Sequence, residues 1–201
     1  MADTAHITGL LLAAGGGRRL GGRPKALLPH RGRPLVEHAV GVLRDGGCSS
    51  VRVVLGAAAD AVRERADLSG CAVTVNPGWA EGMGTSLRAG LADVRDSGTG
   101  GPDAVLVMLV DQPGIGAAAV RRVLAGYTGR QSLVAAAYGG ERGHPVLFGA
   151  DRLADVAAGA AGDRGARGYL REHSARIALV ECGDVAQAYD IDTADDLRHL
   201  E

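Results

Sequence analysis

The sequence predicts an α/β protein built on a mostly parallel sheet with both faces covered. Three observations carry that expectation. Apolar runs alternate with amphipathic stretches along the 201 residues. The runs are near-continuous, as strands buried on both faces require, and lack the polar–apolar alternation of a half-exposed sheet. No Pro/Ser-rich linker and no shift of composition interrupts the pattern, so a single domain spanning 1–201 is expected.

Taken in order, Ile7–Ala13 reads as the first strand, stopped by three glycines. Pro34 opens a helix with Leu35, Val36, Ala39, Val40 and Leu43 on one face, ended by Gly46-Gly47. Val51–Leu55 reads as a strand, Ala57–Ala66 as a short helix, and Cys71–Val75 as a strand stopped by Asn76-Pro77-Gly78. Thr85 or Ser86 is expected to cap a helix carrying Leu87, Leu91 and Val94 at i, i+4 and i+7. Ala104–Val110 is the most apolar strand and stops at Asp111-Gln112-Pro113. Ala117–Tyr127 reads as helix and Ser132–Tyr138 as strand. A turn at Gly139–Gly143, a short strand at Pro145–Phe148 and small helices at Asp151–Ala158 and Ala166–His173 follow. Ile177–Glu181 reads as a strand and Ala188–Ile191 as a short one. Thr193 caps the last helix, with Asp196 as its capping-box partner.

Composition narrows the function. With 46% hydrophobic residues but only 3% aromatics, the core has to be built from Ala, Val and Leu. A formal net charge of −1 argues against a general polyanion binder, so no nucleic-acid partner is expected. Cys48, Cys71 and Cys182 form no C-x-x-C pair, which fits a reducing compartment and excludes a cysteine zinc site of ordinary spacing. Met1–His6 has no basic segment leading into an apolar one, and Ile7–Ala14 is too short to span a bilayer. The expectation is a cytoplasmic protein without a membrane partner.

In parallel sheets of this kind, ligands sit outside the carboxyl ends of the strands. Three polar stops fall there: the glycine loop Gly15–Lys25, Asn76-Pro77-Gly78 and Asp111-Gln112-Pro113. Gly15, Gly16 and Gly17 let backbone N–H groups approach an anion, and Arg18, Arg19, Arg23 and Lys25 add charge. The loop therefore suits the phosphates of a nucleotide, with Lys25 as a point charge and Arg19 as a clamp. A plain glycine turn with solvated arginines is the competing reading. Asp111, at the end of a buried strand, suits a divalent cation or a turn cap. Asp190 and Asp192 would share a face of a strand, and Asp192 also adjoins the Thr193 cap. Gly82, Gly84 and the helix start near Thr85 could approach a base; a loop anchored by a partly buried Trp79 is the competing reading. His144 and Arg167 suit an acceptor's polar edge or phosphate, or a purely structural role.

Together these segments resemble a known family. Leu12-Ala13-Ala14-Gly15-x-Gly17-x-Arg19-Leu20-Gly21-x-x-x-Lys25 resembles the signature of the MobA-like NTP transferases. Within that group, Asn76-Pro77-x-Trp79-x-x-Gly82-Met83-Gly84-Thr85-Ser86-Leu87, Asp111-Gln112-Pro113, Gly143-His144-Pro145, Gly162-Asp163-x-Gly165-Ala166-Arg167 and Asp190-Ile191-Asp192-Thr193 resemble the molybdenum cofactor cytidylyltransferase branch. The resemblance implies a Rossmann-like three-layer α/β/α fold and transfer of CMP from Mg²⁺–CTP to a phosphorylated pterin-type acceptor, releasing pyrophosphate. By resemblance, Leu12, Ala13, Ala14, Gly15, Gly17, Arg19 and Lys25 hold the triphosphate. Asn76, Gly82, Gly84 and Ser86 lie near base and ribose. Asp111 and Asp192 ligate the metal, and Lys25, Arg19 and Asp111 are catalytic. Gln112, His144, Asp163 and Arg167 face the acceptor, in a C-terminal part beginning near residue 139. The partners implied are the nucleotide, the acceptor and a recipient molybdoenzyme or its chaperone. A guanylyltransferase, a sugar-1-phosphate nucleotidyltransferase and a non-catalytic carrier are the competing expectations.

Overall fold

The computed structural model describes residues 5–96 and 100–200; Met1–Thr4, part of the N-terminal stretch read above, lie outside the described residues. The chain runs β1 (Ile7–Ala13), a small hairpin of β2 (Pro29–His30) and β3 (Arg33–Pro34), α1 (Leu35–Asp45), β4 (Ser50–Leu55) and α2 (Ala59–Arg65). Then follow β5 (Ala72–Val75), α3 (Met83–Arg95), β6 (Ala104–Leu109), α4 (Ala117–Ala125), β7 (Leu133–Tyr138) and β8 (Glu141–Gly149). The chain ends with α5 (Leu153–Gly159), α6 (Arg167–Glu172), β9 (Ala178–Glu181) and a 3₁₀ turn at Ala194–His199.

The main sheet has seven strands in the order β5-β4-β1-β6-β8-β7-β9. All neighbours are parallel except β8, which runs against both β6 and β7. From β1 the chain steps outward to β4 and β5, then crosses back to place β6 on the other side of β1. That reversal is where open α/β sheets bind ligands.

Side chains alternate across the sheet and seed one core on each face. Leu11 and Ala13 of β1, with Leu106 and Met108 of β6, meet α1 and α4 through Leu35, Leu43, Val120 and Val123. Leu10 and Leu12, with Val105 and Val107, meet α3, α5 and α6 through Leu87, Leu91, Val156 and Leu170. Three layers, α/β/α, result from this period-2 split.

Three local expectations are corrected, and a fourth feature carried no expectation. First, α3 begins at Met83, not at Thr85 or Ser86. Gly82, at φ 115°, makes the break, and the Thr85 hydroxyl faces the Gly78 and Gly82 carbonyls at 3.0 and 2.9 Å. Second, Gly139 and Gly140 alone form the turn, with φ of 60° and 84°. This two-residue hairpin lets β8 start at Glu141, whose charged, exposed neighbours disguise a strand. Third, Ala188–Ile191 is a link without ladder pairing, tied instead by the Ile191 N–H donating to the Asp111 carbonyl at 2.8 Å. Fourth, the two-residue strands β2 and β3 are too short to leave a periodic signal. The expected capping box forms: the Thr193 N–H donates to the Asp196 carboxylate at 2.7 Å.

Candidate active site

β1 and β6 are neighbours, with Leu12 opposite Leu109, so the segments that follow them meet. Lys25 closes the loop after β1, and its ammonium donates to Asp111 Oδ2 and to Asp192 Oδ1, both at 2.6 Å. Lys25 and Asp111 are largely buried, with side-chain exposures of 15% and 20%. Two carboxylates thus converge on one point, and a cation already stands there.

Burial opposes the charge on Lys25, yet Asp111 and Asp192 outweigh it and leave its pKa above the usual lysine value. Burial pushes the Asp111 carboxyl up, Asp190 and Asp192 push the same way, and Lys25 pulls against them.

The glycine loop wraps this centre. Gly17 sits at φ 60°, and a Cβ there would come within 1.9 Å of the Arg23 carbonyl oxygen. Its own carbonyl accepts from the Leu20 and Gly22 N–H groups, so only glycine fits this fold-back. Gly15 is different. It lacks a left-handed φ, and a Cβ on it would meet nothing within 4 Å. No neighbouring group of the protein requires a glycine there, and it faces the cavity. Trp79 wedges against Gly16 and Gly56, where a Cβ would come within 3.0 and 2.5 Å of it, so it braces the loop as well as lining the site.

The cavity between these segments is ≈ 410 Å³. Ala14, Gly15 and Arg18 line it from the loop, Gly82, Met83 and Ser86 from the start of α3. The first turn of a helix presents free N–H groups and a positive dipole end, both suited to an anion.

Residues 9–177 match the family described as the MobA-like NTP transferase domain. The chain belongs to that family. It is a nucleotidyltransferase by this membership. A curated relative, nicotine blue oxidoreductase of Paenarthrobacter nicotinovorans, is 42% identical over 98% of each chain. A molybdenum cofactor guanylyltransferase of Acidiphilium cryptum is 36% identical, covering 69% of this chain and 66% of its own. Among solved structures, Rv0371c of Mycobacterium tuberculosis in complex with manganese superposes with a TM-score of 0.77 at 30% identity, over 98% of both chains.

Of the residues expected in this MobA-like site, Leu12, Ala14, Gly15, Lys25, Gly82, Ser86, Asp111, Asp163, Arg167 and Asp192 line the first cavity. Ala13, Gly17, Arg19, Asn76 and Gly84 do not. Ala13 is buried in the core. The Arg19 side chain is 75% exposed and reaches Asp192 only at 3.7 Å, whereas Arg18 lines the cavity. The motif singles out Arg19, but the 3₁₀ turn Arg18–Leu20 brings its neighbour to the cavity wall. Asn76 is consumed internally: its amide donates to Thr85 and Ser86 hydroxyls at 2.8 and 3.0 Å and accepts the Gly78 N–H at 2.9 Å. Gly84, and Gly82 with it, let the 161–163 turn lie close, since a Cβ on either would come within 2.7 Å of that backbone. Their lack of side chain therefore answers to packing.

Gln112 and His144 line a second cavity of ≈ 250 Å³, which shares Leu12, Met83, Leu109 and Arg167 with the first. Its walls include Val107, Val146, Phe148 and Leu170, and Arg142 and Arg164 stand at it. The Gln112 amide donates to Asp190 Oδ1 at 2.8 Å, so Asp190 and Asp192 take different partners. Burial, with Arg167 and Arg142 nearby, pushes the His144 pKa down to about 4. His144 is therefore a neutral imidazole at neutral pH. No helix among the described residues is long and apolar enough to cross a membrane.

Proposed function

We propose that this chain transfers a nucleoside monophosphate, CMP from CTP, to a phosphorylated pterin-type acceptor such as the molybdenum–molybdopterin cofactor, releasing pyrophosphate. The observation that carries the reading is the meeting of Lys25, Asp111 and Asp192 at the foot of a glycine loop whose Gly15 is left open toward the cavity. The single domain is divided by role: the segments around the first cavity take the nucleotide, and β8 with α6 bounds the space for the acceptor.

Asp111 and Asp192 fit a divalent cation. Both offer a carboxylate oxygen to one point, which matches the one or two carboxylates by which Mg²⁺ is held beside phosphates. When bound, such an ion would neutralise charge on the triphosphate and polarise the α-phosphorus. The chain's own part is positioning. The glycine loop, Arg18 and the start of α3 face the triphosphate. An oxygen of the acceptor phosphate attacks the α-phosphorus, the bond from that phosphorus to the α–β bridging oxygen breaks, and the electron pair leaves with pyrophosphate. Two anions brought to 4 Å cost about 1 kcal/mol in water and about 4 in a partly buried site. Lys25 and Arg167 offset that cost, and the presence of Arg167 on both cavities supports a place for it between the two substrates. The acceptor phosphate is ionised at neutral pH, so no general base is required. His144, neutral, is suited to a hydrogen bond with the acceptor and not to an ion pair.

The test is a thermal-shift panel of CTP, GTP, ATP and UTP with Mg²⁺, then pyrophosphate release with the best nucleotide and molybdopterin. A response to GTP alone would move the assignment to guanylyl transfer, the activity named for the Acidiphilium relative. A second reading, an oxidoreductase, is favoured by the full-length likeness to nicotine blue oxidoreductase. Acceptor-dependent oxidation of NADPH or NADH without pyrophosphate release would establish it.

A further inference from the structure

We propose that Lys25 is a built-in competitor for the metal, so that the site holds bare divalent cations weakly and loads metal and nucleotide as a cooperative pair. This rests on the reading of Asp111 and Asp192 as the metal-holding pair. The Lys25 ammonium stands at 2.6 Å from an oxygen of each carboxylate, at the point where a cation shared by both would sit. The contact is made by a side chain only 15% exposed, so it is not an incidental surface pair. Among the described residues there is no group of three or more His, Cys, Asp or Glu that could hold a metal. A bare cation is therefore offered two carboxylates, both already paired, and would have to drive a buried ammonium off them with no anion to receive it.

A triphosphate changes both sides of that exchange. Its oxygens supply the ligands that the protein lacks, and its charge gives the ammonium another partner beside Arg18 and the glycine loop. Lys25 can then pass from carboxylates to phosphate while the ion takes its place. Each ligand removes part of the cost of binding the other, and the coupling is reciprocal. Lys25 accordingly has two duties in sequence: it keeps the two acids from repelling each other in the free protein, and it grips phosphate in the loaded one.

The experiment is Mn²⁺ binding to the full chain, followed by electron paramagnetic resonance with and without CTP, in the wild type, Lys25→Met, Asp111→Asn and the double variant. Without nucleotide, Lys25→Met is expected to bind Mn²⁺ about tenfold tighter than the wild type or better, and CTP to raise affinity far more in the wild type than in Lys25→Met. Mn²⁺ alone is expected to raise the melting temperature of Lys25→Met clearly more than that of the wild type. Equal nucleotide-free affinity in wild type and Lys25→Met, both weakened by Asp111→Asn, would overturn the competition while leaving the metal pair intact. Unchanged Mn²⁺ binding in the double variant relative to Lys25→Met would overturn the metal pair itself. Lys25→Gln, which keeps a donor on a shorter side chain and removes the charge, gives the same comparison if the methionine variant does not fold.

Discussion

Lys25 and Asp111 are separated by 86 positions in the chain and meet at 2.6 Å. The sheet makes that meeting. β1 and β6 lie side by side and the Val110 N–H donates to the Leu12 carbonyl at 3.1 Å, so the loops leaving the two strands start from adjacent points. The Ile191 N–H on the Asp111 carbonyl adds a third segment, which carries Asp192. Three distant stretches are held by backbone hydrogen bonds, and their side chains need few further constraints.

The two C-terminal acids should separate in experiment. Asp192 faces Lys25 and Asp111, whereas Asp190 receives the Gln112 amide. Asp192→Asn is expected to weaken metal-dependent nucleotide binding and lower turnover by about 10²-fold or more, as loss of a charge at the reacting phosphates does. Asp190→Asn should cost about tenfold or less, because Gln112 keeps a carbonyl to donate to. Mg²⁺ titrations of pyrophosphate release distinguish them; equal losses would contradict the assignment.

Two glycines of one loop should respond in opposite ways. Gly17→Ala meets the Arg23 carbonyl at 1.9 Å from a left-handed backbone, so it should destabilise the fold by about 1–3 kcal/mol or more. Gly15→Ala meets no protein atom within 4 Å and should change stability by less than about 0.5 kcal/mol. Its added methyl would enter the cavity proposed for the nucleotide, and is expected to raise the KM for nucleotide several-fold. Urea unfolding and steady-state kinetics on both variants check the pair.

His144 predicts a loss of stability in acid. Its folded pKa is about 4, against about 6.5 in an unfolded chain. Between those values the unfolded chain binds more protons, so stability is full above about pH 6.5 and falls as the pH drops through 4. The loss should be of order 1–3 kcal/mol. Urea unfolding at pH 7 and pH 5 should show a shallower loss in His144→Gln. His30 and His38, whose pKa values burial also lowers, keep part of the slope in the same direction. An unaltered slope in the variant would contradict the placement of a neutral imidazole.

Much of this is legible in the sequence, and the reasons are physical. β1, β4, β6 and β7 are apolar runs ended by Gly or Asp, and α1 and α3 bury the faces that their periodicity marks. The convergence of the glycine loop with Asp111 follows from strand ends in a parallel sheet. What stayed hidden depends on side-chain direction or on compensation between distant groups. Arg18 lines the cavity while Arg19 reaches toward Asp192, because a single 3₁₀ turn carries the two in different directions. Asn76 reads as a ligand contact because its three internal hydrogen bonds come from Gly78, Thr85 and Ser86, which only the folded loop brings together. The sequence marks only Pro145–Phe148 of β8, because Glu141 and Arg142 lie on an exposed strand end. The pairing of Lys25 with both acids could not be foreseen, since sequence assigns a lysine in such a loop to phosphate.

The most direct test of nucleotidyl transfer is single-turnover release of pyrophosphate from Mg²⁺–CTP on addition of molybdopterin. The wild type is expected to release one pyrophosphate per acceptor modified, and Lys25→Ala and Asp111→Ala to lose about 10²–10³-fold or more while remaining folded. Near-normal release from both variants would contradict the assignment of these residues to the reaction.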